Sequence, residues 1–129
     1  MNAPRILIVD DNAMNIDLVS FLLAADSMQV ESALDAAQAA ACIAARPPDL
    51  ILMDIQLPGV DGMELTRRLK ADPATRHIII VALTAYAMKG DEERMLAAGC
   101  DGYIAKPVEV ATFVQQVRGF LAGSARAGS

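Results

Sequence analysis

Polar side chains able to act together stand directly after apolar runs: Asp10-Asp11 after Ile6-Leu7-Ile8-Val9, Asp54 after Leu50-Ile51-Leu52-Met53, Thr84 after Ile78 through Leu83, and Lys106 after Tyr103-Ile104-Ala105. Such runs read as buried parallel strands. Residues at their carboxyl ends then share one edge of a sheet, where open α/β folds place their ligands. Carboxylates gathered there repel, because two unit charges about 4 Å apart cost roughly 4 kcal/mol at an effective dielectric of about 20. Lys106 supplies one positive charge, and a hard divalent cation suits the remainder, since Mg²⁺ takes oxygen ligands and keeps several waters. The expected ligands are Asp11 and Asp54, with Asp10 binding directly or through water and the backbone carbonyl of Gln56 completing the set.

The elements that must hold these residues follow from periodicity. Met14, Leu18, Phe21, Leu22 and Ala25 recur at helical spacing after the first strand, with Asn12 as the N-cap. Gln29 to Ala33 is a weaker strand, and Asp35-Ala36-Ala37-Gln38 opens an alanine-rich helix that Pro47-Pro48 has stopped. Asp61-Gly62-Met63-Glu64 has the form of another capping box, and its helix ends before Pro73. A helix from Lys89 to Ala98 closes at Gly99, Gly102 to Ala105 is a short strand, and Val110, Phe113, Val114, Val117 and Leu121 give the last helix its apolar face. Strands alternating with helices imply a five-stranded parallel sheet covered on both sides, a doubly wound flavodoxin-like (βα)5 fold of strand order 2-1-3-4-5. The switch point of that order lies between the first and third strands, which end in Asp10-Asp11 and Asp54.

With 129 residues the chain has room for one domain, expected over residues 1–122, with 123–129 as a flexible tail. Hydrophobic residues make up 54% and charged residues 21%, enough for a core and unlike a disordered chain. No apolar stretch approaches the roughly 18 residues of a membrane span, and the first residues lack a signal-peptide layout, so a cytoplasmic location is expected. A net charge of −5 without a Lys/Arg run argues against a nucleic-acid surface. Cys42 and Cys100 have no metal-ligand spacing and read as reduced thiols, and His77 reads as a surface residue.

The order Asp10-Asp11, Asp54, Thr84-Ala85, Lys106-Pro107 resembles response-regulator receiver domains of the CheY-like superfamily, over essentially the whole chain. Val9-Asp10-Asp11-Asn12 and Met53 through Gly59 are close to that family's wording, and the resemblance is strongest to stand-alone regulators of the cell-cycle (DivK-like) type and to hybrid-kinase receivers. The resemblance implies that Asp54 accepts a phosphoryl group from the phosphohistidine of a histidine kinase or phosphotransferase, and that Asp10 and Asp11 organise Mg²⁺, with Mn²⁺ able to substitute. It implies roles for Lys106 and Thr84 at the phosphoryl oxygens, a Thr84–Tyr103 switch, and a cis bond between Lys106 and Pro107. It also implies protein docking on the face of the fourth helix, fifth strand and fifth helix. With no output domain after the last helix, the chain is expected to signal by docking or by passing its phosphoryl group onward.

Other readings are weaker. Phosphatases with an aspartyl nucleophile use Asp-x-Asp, and here the second position is Gln56, which cannot serve as proton donor. A flavin site would need a phosphate-binding loop after the first strand, where Asp10-Asp11 would repel the phosphate. A binding module independent of phosphorylation would be marked by loss of a site residue, and none is missing. The chain is therefore expected to be no metabolic enzyme, catalysing only its own phosphorylation and dephosphorylation.

Overall fold

A computed structural model describes residues 3–55, 62–84, 89–106 and 108–127. Strands and helices alternate as β1 (Arg5–Val9), α1 (Ala13–Ala25), β2 (Gln29–Ala33), α2 (Ala36–Ala45), β3 (Leu50–Asp54), α3 (Gly62–Ala71), β4 (Ile79–Thr84), α4 (Lys89–Ala98), β5 (Gly102–Ala105) and α5 (Phe113–Ala127). The sheet order is β2-β1-β3-β4-β5 and every pairing is parallel, as the sequence predicts.

Side chains alternate across each strand, so the sheet feeds two cores. Leu7, Val9, Ile51, Met53, Ile80 and Ala82 pack with α2, α3 and α4 through Ile43, Leu69 and Met95. Ile6, Ile8, Leu50, Leu52, Val81 and Leu83 pack with α1 and α5 through Val19, Leu23, Phe113 and Val117. Burial on both faces is why β3 and β4 carry no polar residue before their last position.

The helix ends follow their capping residues. Asn12 accepts the Asn15 N–H at 3.1 Å, and Asp35 accepts the Gln38 N–H at 2.8 Å. Gln38 Oε1 in turn accepts the Leu34 N–H at 2.9 Å, one residue before the cap, where a capping box would take the cap's own N–H. Gly99 ends α4 at φ +104°, a conformation that favours glycine. Asp61, the cap expected for α3, lies outside the described residues, and Glu64 pairs with Arg67 and Arg68 on its own helix.

Two sequence expectations need correction. The face of α1 turned to the sheet is Ile16, Val19 and Leu23, whereas Met14 and Phe21 are 82% and 71% exposed and Leu18 lies at the surface. The helix is apolar nearly all round, so spacing alone could not choose its rotation. Val110 is exposed and precedes α5, in a turn that Glu109 organises by accepting the Thr112 and Phe113 N–H groups. The rest of the predicted α5 face packs as expected, with Phe113 and Val117 buried and Val114 and Leu121 partly so. The backbone of α5 stays helical to Ala127, past residue 122 where composition suggests a tail. Among the described residues no helix is long and apolar enough to cross a membrane.

Candidate functional site

Parallel pairing brings the strand ends level. Val9 stands opposite Met53, so Asp10 and Asp54 emerge side by side from β1 and β3. Asp54 is opposite Leu83 and Thr84 is opposite Ala105, which carries the row across to Lys106. The ladder also continues past the strands, with Asp10 N–H donating to Ala33 O at 3.0 Å and Lys106 N–H to Thr84 O at 2.8 Å. Backbone bonds of the sheet and its extension therefore anchor Asp10, Asp54, Thr84 and Lys106.

Asp10 is fully buried, Asp54 and Thr84 are buried, and Asp11 is exposed at the rim. One carboxylate oxygen from each of Asp10, Asp11 and Asp54 falls within 4.8 Å of the others. Lys106 Nζ lies 3.2 Å from Asp10 Oδ2 and 3.2 Å from Asp54 Oδ2, bridging the two buried carboxylates. Three carboxylates gathered beside the Lys106 ammonium favour further positive charge, since charges taken out of water are costly unless paired. Among the described residues the donor set is carboxylate oxygen, with no thiolate or imidazole, which suits a hard divalent cation.

Asp10 is more constrained than its sequence position suggests. Its Oδ1 accepts the Asn12 N–H at 2.9 Å, while its Oδ2 accepts from Asn15 Nδ2 at 2.6 Å and from Lys106. Three donors occupy most of its acceptor capacity, which favours contact with a cation through water over direct ligation. Asn15 is a site residue that sequence reasoning missed. The available signal was an amide in the first turn of α1, one turn after an Asn cap that itself follows the acidic pair.

Thr84 and Tyr103 share a face of the sheet, because Tyr103 pairs with Ala82 and Thr84 lies two residues further along β4. Tyr103 is half-buried against the core under α2, α3 and α4. Gln56, whose carbonyl was expected to join the metal site, and Pro107 of the expected cis bond both lie outside the described residues. His77 is exposed and apart from the acidic cluster, Cys100 is buried, and Cys42 is half-buried with no disulfide between them. Burial pushes the Cys100 thiol above the ordinary thiol range, an effect that a hydrogen bond with Thr66 partly offsets.

Comparison with known proteins agrees with this geometry. The family model for the response regulator receiver domain matches residues 6–118. The polar-differentiation response regulator DivK of Brucella anthropi is 43% identical over 116 residues, covering 90% of this chain and 94% of the relative. Among solved structures, a putative response regulator from Chloroflexus aurantiacus superposes with a TM-score of 0.89 at 30% identity, covering 94% of this chain and 99% of the other. The receiver domain of the sensor histidine kinase PA1611 from Pseudomonas aeruginosa superposes with a TM-score of 0.84 at 34% identity, covering 93% and 98%, and that structure holds a magnesium ion in its active-site cleft.

Proposed function

The chain belongs to the response regulator receiver domain family of two-component signalling, and from that premise we propose that Asp54 is its phosphoryl acceptor, assisted by Mg²⁺ bound among Asp10, Asp11 and Asp54. The observation that carries this reading is the placement of Lys106 Nζ at 3.2 Å from both Asp10 and Asp54. It puts a fixed positive charge beside the acceptor oxygen in a largely buried pocket.

In the proposed reaction an Asp54 carboxylate oxygen forms a bond to phosphorus as the donor's phosphorus–nitrogen bond breaks, and the electron pair returns to the imidazole of the donor histidine. The product is an acyl phosphate. Transfer of this kind passes through a loose transition state with charge on the equatorial oxygens, so the protein acts mainly by positioning and electrostatics. Lys106 would meet that charge from one side, and Thr84, at the end of the neighbouring strand, would donate its hydroxyl to a phosphoryl oxygen. Bound Mg²⁺ would supply further charge neutralisation at the phosphoryl oxygens, with Asp11 and Asp54 as direct ligands, Asp10 through water and the Gln56 carbonyl as a further donor. Mn²⁺, which accepts the same oxygen donors, would substitute.

Thr84 drawn toward the phosphoryl group would pull on β4, and Tyr103 on the same face would follow, changing the surface of α4, β5 and α5. A Lys106–Pro107 cis bond would aim the lysine inward. The partners in this reading are a histidine kinase or histidine phosphotransferase as donor and a downstream protein docking on the α4–β5–α5 face, all in the cytoplasm. The domain is read as residues 1–122 with 123–129 as its C-terminal tail, the first part of which continues the backbone of α5, and it turns over no substrate but itself.

Incubation with acetyl phosphate and Mg²⁺ followed by intact-mass measurement tests the proposal. Wild type is expected to gain one phosphoryl mass and Asp54→Asn none. A wild type that never gains it, or an Asp54→Asn variant that gains it equally, removes Asp54 from the role.

A further inference from the structure

Where α3 begins, the chain passes against the acceptor strand more closely than any side chain permits. A methyl group on Gly62 would lie 2.3 Å from the Asp54 carbonyl oxygen, 2.9 Å from Ile55 Cα and 3.1 Å from the Asp54 carbonyl carbon. Gly62 has no positive φ, so backbone freedom does not explain the glycine. Helix propensity would favour alanine here. The absence of a side chain is what the position requires.

The neighbours make this glycine unlike the others described. Gly99 and Gly102 face the side chains of Lys70 and Phe120, which can rotate aside, and Gly119 faces open space. Gly62 faces only backbone, and that backbone is the peptide leaving Asp54. Its N–H also donates to Ile55 O at 3.2 Å, so Gly62 ties the first turn of α3 to the end of β3.

We propose that Gly62 is a positioning residue for the acceptor site: its bare Cα lets α3 seat on the Asp54–Ile55 peptide and so fixes the Asp54 carboxylate between Lys106 and the cation ligands. This rests on the reading of Asp54 as phosphoacceptor. A side chain at Gly62 must push that peptide away, while the ladder to β4, including Ile55 N–H to Leu83 O at 3.3 Å, resists movement of the strand as a whole. The peptide then rotates about the Asp54 Cα, and the carboxylate leaves its place 3.2 Å from Lys106. The shortfall of about 1 Å from ordinary contact is comparable to a misplacement that costs up to about 10²-fold in positioned chemistry.

The test compares wild type, Gly62→Ala, Gly102→Ala and Gly119→Ala as full-length chains. Three quantities are measured: Mg²⁺ affinity by calorimetric titration, phosphorylation rate with acetyl phosphate by intact mass, and thermal midpoint. Gly102→Ala crowds Phe120 away from the site, so it controls for general loss of stability. Gly62→Ala is expected to lose roughly tenfold or more in both Mg²⁺ affinity and phosphorylation rate. Gly102→Ala should keep both at a similar or lower thermal midpoint, and Gly119→Ala should keep both with a thermal midpoint at or above that of wild type. Equal behaviour of Gly62→Ala and wild type overturns the inference, as does a loss no larger than in Gly102→Ala. If wild type itself takes neither Mg²⁺ nor phosphate, the phosphoacceptor reading fails and the inference with it. Should Gly62→Ala not fold, the Gly62 amide resonance of wild type is followed during Mg²⁺ titration: it is expected to shift with the same midpoint as Asp54, and an unresponsive Gly62 overturns the proposal.

Discussion

Lys106 reaches Asp10 and Asp54 at once, so at the scale of single residues it does two opposing things. In the proposed reaction it would compete with a cation for the carboxylates and would stabilise the charge that develops during transfer. Lys106→Ala is therefore expected to raise Mg²⁺ affinity while lowering the acetyl phosphate reaction by about 10²-fold, the usual cost of removing one positioned charge donor. Calorimetry and intact mass read the two effects separately, and parallel losses in both would show that Lys106 only holds the fold. Cys100 gives a second test at this scale. Its thiol is raised by burial, so the folded state holds that proton more tightly than the unfolded chain does. The contribution is fully present below the unfolded thiol value and is lost as pH rises through the alkaline range. The stability of wild type should then fall more steeply with alkaline pH than that of Cys100→Ala, measured by urea unfolding across pH.

Among the elements, α1 shows how a polar contact decides what an apolar pattern leaves open. Within its 13 residues both the Met14-Leu18-Phe21 and Ile16-Val19-Leu23 stripes have helical spacing. Asn15 bonds to buried Asp10 at 2.6 Å, and residues one and two turns beyond it must face the sheet with it. That contact agrees with Val19 and Leu23 inside. Leu23→Ala is expected to cost about 2–5 kcal/mol as a buried deletion, and Phe21→Gln within about 0.5 kcal/mol of nothing, as a surface change. Urea unfolding checks both, and a larger loss at Phe21 would reverse the assigned rotation. Lys70 plays a comparable part between α3 and β4, donating to Ile78 O at 2.8 Å and to Asp101 at 3.0 Å. Asp101 in turn accepts the Ile80 N–H at 2.8 Å, so one lysine and one aspartate set the start of β4.

For the molecule as a whole, the carboxylates clustered at one end of the sheet repel one another, and a cation joining them there would relieve that repulsion. Mg²⁺ at about ten times its dissociation constant should stabilise the wild type by roughly 1.4 kcal/mol if it binds only the folded chain. A rise in thermal midpoint with Mg²⁺, reversed by chelation and absent in Asp11→Ala, is the expected result. An equal rise in Asp11→Ala would place the ion elsewhere. The sequence by itself determined the strand ends and the acidic triad, because strands buried on both faces are apolar until the chain reaches the polar pocket at their carboxyl ends, and a polar residue there is conspicuous in one dimension. It also narrowed the strand order to the few doubly wound arrangements that right-handed crossovers allow, and the expected one, 2-1-3-4-5, is the order the sheet adopts. The tertiary structure alone decided the rotation of α1, the grip of Asn15 on Asp10, the reach of Lys106 to two carboxylates and the closeness of Gly62 to Asp54. Each of these depends on distances between segments far apart in the chain or on a contact finer than residue spacing, and periodicity carries no information about either.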